Sequence, residues 1–136
     1  MGKKLQKRST YIGQKDRTQS GEVTHLRFVI SNFKFDDDTG KECALVVNMT
    51  SKKGTRLDDL TCELDVGDHE DIIHASYIEY ARAERVPKSY ILENVAKGHF
   101  VLRETISEEL LRKIQDGVFK RIDDMPKFVE NYIDEF

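Results

Sequence analysis

The stretch ALVVNMTSKKG, residues 44–54, holds the densest chemistry in the chain. An apolar run ends in Asn48, Met49, Thr50 and Ser51, and Lys52, Lys53 and Arg56 follow around a glycine. Hydroxyls donate to phosphate oxygens and cationic side chains supply countercharge, so a strand ending this way can hold a phosphodiester. The same residue types also form turns, because short hydroxyl side chains cap the backbone where a strand stops. A second constellation, HEDIIH at 69–74, approaches the zinc pattern HExxH, but its second histidine comes one residue late. On a helix that spacing puts His69 and His74 on different faces, and no metal site is expected. His74 and Ser76 are read instead as polar groups lining the groove beside Thr50.

Short strands must position these groups. In THLRFVISNFKF, Leu26, Phe28 and Ile30 alternate with His25, Arg27 and Val29, the period of a half-buried strand. DDDTGKE is a turn, CALVVNMT a second strand and SKKGTRLDD a loop. TCELDV alternates again, putting Cys62, Leu64 and Val66 on one side before a turn at Gly67 and Asp68. Residues 72–80 read as a helical turn followed by a strand, and Thr10–Ile12 as a short strand within a basic N-terminal arm, residues 1–22. Thr105 with Glu108 fits a capping box, with Ser107 as the cap one register later. Ile106, Leu110, Leu111, Ile114 and Val118 then keep helical spacing. Pro126 opens a last short helix whose stripe is Phe128, Val129, Tyr132, Ile133 and Phe136. Strands followed by helices predict a mostly β, α+β fold, a small barrel with a packed C-terminal helix.

Composition bounds the function. The 136 residues suit one domain, 38% are hydrophobic and 35% charged, and no apolar stretch reaches the ~20 residues of a membrane span. Without the apolar block of a signal peptide, the expected location is cytoplasmic. Cys43 and Cys62 sit among apolar residues and are expected to be reduced core cysteines. A net charge of −3 argues against broad nucleic-acid binding. The charge is uneven, however, with Lys3, Lys4, Lys7, Arg8, Lys15, Arg17 and Arg27 early and an acidic amphipathic extension at 121–136. Such a tail could cover a basic groove in cis.

Taken in order, FVISN, ALVVNMTSKKG, the Ser-initiated SYIEYARAERV and ISEELLRKIQDGV resemble the MazF/PemK toxin family. The resemblance spans residues 23–119, close to the expected barrel domain of residues 23–120. It implies an SH3-like barrel and a sequence-specific, metal-independent endoribonuclease acting on single-stranded RNA. It also implies an antitoxin partner, a homodimer and no cofactor. Members carry an arginine just before the first apolar strand and a Thr or Ser at the strand end. Thr50 matches the second position, while HLRFVIS puts His25 where the arginine would stand, with Arg27 two residues on. His25 would then move a proton and Arg27 hold phosphate charge, both from one strand face.

The expected catalytic set is therefore His25, Arg27 and Thr50. Ser51, Lys52, Lys53, Arg56, His74 and Ser76 are expected to contact RNA, with Tyr77 or Tyr80 stacking on bases. Two other readings fit the same barrel: a nucleic-acid-binding module without catalysis, and a protein-interaction domain working through the apolar C-terminal stripe.

Overall fold

The computed structural model describes residues 4–14 and 25–136. Lys3, Lys15 and Arg17 of the basic arm lie outside those residues. Eight strands are defined among the described residues: β1 Thr10–Gly13, β2 Arg27–Val29, β3 Lys34–Asp36, β4 Lys41–Ser51, β5 Glu63–Leu64, β6 Ser76–Ile78, β7 Glu84–Pro87 and β8 Phe100–Arg103. Helix α1 covers Lys88–Ala96 and α2 covers Glu108–Arg121, and a 3₁₀ segment, Lys127–Glu135, closes the chain. The expected α+β architecture, with helices at the C-terminal end, is what forms, and every strand pair is antiparallel among the described residues. Strand order is β5-β6-β4-β2-β1-β8, and no ladder among the described residues joins β5 to β8.

β4 is the spine. It pairs with β2 and β3 along one edge and with β6 and β7 along the other. Cys43, Leu45, Val47 and Met49 enter the main core with Ile12 and Phe28, under α2 and the 3₁₀ segment. Ala44 and Val46 point the other way and pack with Tyr11, Val29, Val86 and Ile91 of α1. Burial on both faces explains why CALVV reads as a continuous apolar run instead of an alternating one. The coverage by α1 stops at Asn48, where the strand turns polar.

Several local expectations are met and others corrected. Cys43 and Cys62 are free and buried. The strand at Thr10–Ile12 forms as β1, but it lies inside the sheet between β2 and β8, with Thr10, Tyr11 and Ile12 buried. Ser107, not Thr105, caps α2, its Oγ accepting from Leu110 N–H at 3.0 Å. Leu110, Leu111, Ile114 and Val118 are buried as the spacing predicts. Val66 is 64% exposed, because the chain leaves β5 at Asp65 and Asp68 N–H donates to Asp65 O at 3.0 Å, taking Val66 away from Cys62 and Leu64. The last segment is 3₁₀ instead of α, with Pro126 as its extended N-cap.

The terminal segment is part of the core rather than a detachable tail. Met125, Val129 and Tyr132 belong to the main cluster, and Tyr132 Oη donates to Asp36 Oδ2 at 2.7 Å. It packs on the α2 face of the sheet, away from the face that carries Arg27 and Asn48. Gly117 of α2 marks the closest packing, since a Cβ there would stand 1.9 Å from Tyr80 Oη. That hydroxyl donates to Ile114 O at 2.8 Å, so helix and ring meet without space for another atom.

Candidate functional site

The β2–β4 register brings two of the expected residues into line. Arg27 lies opposite Asn48, and Met49 N–H donates to Leu26 O at 3.0 Å, so the ladder continues past the end of β2. His25 lies just before this paired stretch, outside any strand, and the same register carried one residue further would set it across from Thr50. Strand alternation then places His25, Arg27, Asn48 and Thr50 on a single face, beyond the end of α1. On the far edge of β4, Thr50 pairs with Tyr77, and Glu79 N–H donates to Asn48 O at 2.9 Å. The open half of this face thus carries two rows, His25–Thr50–Tyr77 and Arg27–Asn48–Glu79.

His25 is exposed, and Thr50 and Arg27 are half-buried. The Arg27 guanidinium lies 5.9 Å from the centre of the Tyr11 ring, its neighbour across β1, and an Arg27 N–H reaches His25 O at 3.5 Å. The ring holds the guanidinium in place on this face. Burial pushes the Tyr77 phenol above its ordinary value, and Asp58, Glu79 and Asp59 push it further. Tyr77 is therefore a neutral ring in a negative surround.

The remaining expected residues divide. Lys52 shares this face, but its ammonium is paired with the carboxylate of Glu63. Lys53 and Arg56 are exposed on the loop that follows. Asp58 braces that loop, accepting from Lys53 N–H at 3.1 Å and from Gly54 N–H at 3.0 Å. Gly54 sits at φ 72, where a side chain would be strained. Ser51 and Ser76 face each other across β4 and β6 on the opposite, core side. Ser76 is buried and donates to His74 O at 2.8 Å, so it does not line the groove. His74 is exposed in the turn before β6. Tyr80 is fully buried and Tyr77 is only 9% exposed, so neither expected ring lies open for a base to stack on.

Sequence reasoning missed Asn48 and Glu79 as partners. Asn48 Nδ2 donates to Glu79 Oε1 at 2.7 Å. Thirty-one positions separate them, so only the β4–β6 register could have revealed the pair.

It also missed a buried Thr–His–Asp grouping at the other end of the sheet. His69 Nε2 lies 3.0 Å from Thr10 Oγ1 and 2.8 Å from Glu104 O, and His69 Nδ1 lies 3.9 Å from Asp71 Oδ2. The residue types suggest a catalytic triad, but the wiring is wrong for one. Asp71 N–H donates to Nδ1 at 3.0 Å, which fixes the ring proton on Nε2. Nε2 is then a donor, and Thr10 Oγ1 gives its own proton to Glu104 O at 2.6 Å. A base for Thr10 is missing from this arrangement. Arg103 closes it with two 2.7 Å bonds to the Asp71 carboxylate. This is a satisfied buried junction tying β1, β8 and the 69–71 turn together.

Among the described residues no helix is long and apolar enough to cross a membrane, and no group of three or more His, Cys, Asp or Glu is arranged to hold a metal ion. Comparison of the chain with known protein families, curated proteins and solved structures finds no match in any of the three.

Proposed function

We propose that the open face around His25, Arg27 and Thr50 binds single-stranded RNA and cleaves it without a metal. What supports this reading is the β2–β4 register, which pairs Arg27 with Asn48 two residues before Thr50 on β4, with the exposed His25 two residues before Arg27. In this reading His25 takes the proton of the ribose 2′-hydroxyl. The 2′-oxygen bonds to phosphorus, and Arg27 with the Thr50 hydroxyl donates to the non-bridging oxygens as charge builds on them. The bond to the 5′-oxygen breaks, and water supplies the leaving group's proton. Products are a 2′,3′-cyclic phosphate and a free 5′-hydroxyl. Lys53 and Arg56 would follow the backbone beyond the scissile phosphate. The reading extends to the MazF/PemK resemblance, with an SH3-like barrel working as a homodimer under an antitoxin.

A second reading, binding without cleavage, draws on the pairing of Lys52 with Glu63 and of Asn48 with Glu79. Those contacts engage four of the face's polar side chains within the protein. One assay separates the two readings: a pool of single-stranded RNAs incubated with EDTA. Cyclic-phosphate ends that appear with wild type and vanish in His25→Ala and Thr50→Ala support cleavage. RNA retained intact but bound, with affinity falling steeply in salt, supports binding alone. Neither cleavage nor binding removes both.

A further inference from the structure

Resting on that reading, the geometry points to Glu79 as the group that selects the base, and guanine as the base it selects. A carboxylate on a surface that holds a polyanion opposes the phosphates, so its presence calls for another ligand. Glu63 and Glu79, the acids on the rows beside Thr50 and Asn48, differ in how they are neutralised. Glu63 is paired with the ammonium of Lys52, whose side chain is half-buried. The cation at Glu79 is Arg82, 3.7 Å away and 77% exposed, a contact that water screens heavily. Glu79 itself is held firmly: its backbone N–H is in the ladder to Asn48, and its Oε1 accepts from the Asn48 amide at 2.7 Å. Only 21% of its side chain is exposed, so the carboxylate is fixed in direction and partly shielded.

An ionised carboxylate has about four acceptor sites, and the Asn48 amide uses one. What it can still take is a ligand edge with adjacent N–H donors. In single-stranded RNA the base edges are free to be read, and guanine alone presents two neighbouring donors, N1–H and the N2 amine, on one edge. Cytosine and adenine offer one amine beside an acceptor, and uracil one N–H between two carbonyls. Either acceptor would face the carboxylate unfavourably. Position agrees with this role. Glu79 is the diagonal neighbour of Thr50, about 7–8 Å away across the ladder, within the reach of one nucleotide whose phosphate sits on the His25–Thr50 row.

The test uses uridine hexamers with a single central G, A, C or U, 2′-O-methylated to block cleavage, titrated against the full chain by fluorescence anisotropy. Wild type is expected to favour the G-containing hexamer by about 10–100-fold. Glu79→Gln should erase most of that preference, because its amide nitrogen meets guanine's donors with donors of its own. Glu79→Gln keeps an oxygen for the Asn48 amide, so a merely structural role would leave the base preference unchanged. Circular dichroism checks that the variant is folded. Binding by wild type without base preference, or a preference that survives Glu79→Gln, overturns the inference and leaves RNA binding standing. Failure of wild type to bind any hexamer overturns both.

Discussion

His69 and His25 each stand beside a threonine, Thr10 in one case and Thr50 in the other, in opposite settings. His69 is 2% exposed, and its ring nitrogens are engaged by Asp71 N–H, Thr10 and Glu104 O. His25 is exposed at the margin of a strand, across from a half-buried hydroxyl and beside a guanidinium. The buried group holds the more familiar set of catalytic residue types, yet its bonds run the wrong way for proton abstraction and no substrate can reach it. The open group lies at the surface, with His25 exposed. Residue types alone would rank the buried group first, and hydrogen-bond direction with exposure argues against it.

The contrast can be broken at the buried end first. Arg103→Ala leaves the Asp71 carboxylate, 7% exposed, without its bidentate partner, and should cost about 3 kcal/mol of stability by urea unfolding. If the loss is within the scatter of surface changes, the junction is not structural. Gly117→Ala probes the same closed side of the sheet: the new methyl displaces Tyr80 from Ile114 O, for an expected loss of about 2–3 kcal/mol. RNA affinity measured well below the melting temperature should be unchanged in both variants.

Acid provides a finer test. Asp36 is held below its ordinary value of 3.8, chiefly by the Tyr132 hydroxyl, then by the Thr39 N–H, Arg85 and the Asp38 N–H. The unfolded chain therefore takes up this proton first as pH falls. The stabilisation is complete above 3.8 and is lost as pH drops through the lower native value. Tyr132→Phe should cost about 1–2 kcal/mol at neutral pH and flatten the stability curve in that acid window. An unchanged acid limb would count against the tie between the C-terminal segment and the β3–β4 turn. The smallest effect belongs to the open side. Lys53→Ala and Arg56→Ala should each weaken RNA binding about two- to fivefold and reduce its salt dependence by about one phosphate's worth. A salt slope that does not move would take the loop out of the interface.

The legible parts of the sequence were those where one periodicity dominates. CALVVNMT and the α2 stripe are continuous and well bounded, and Ser107 misled only by one register because Thr105 offers a competing cap. Helix α1 gives no such signal: Pro87 provides no capping side chain, and Ile91 is its one buried residue. Its place is set by packing on Tyr11, Ala44 and Val46, which local sequence does not encode. Of the candidate site, His25 and Arg27 share a face by local strand alternation, whereas Thr50 comes to that face only through the long-range β2–β4 register. Ser76 and Tyr80 were misread for the opposite reason, since which side of β6 and its following turn meets the core depends on the long-range pairing with β4.

The central claim is that the exposed histidine serves chemistry and the buried one architecture. Thermal unfolding and RNA cleavage, measured side by side for His25→Ala and His69→Gln, test it most directly. The account predicts that His25→Ala melts within about 1 °C of wild type and cleaves at least ~100-fold more slowly. His69→Gln should melt several degrees lower, about 4 °C for each kcal/mol lost, and cleave within about twofold of wild type while folded. A folded His69→Gln protein that no longer cleaves, beside a His25→Ala protein that does, would contradict it.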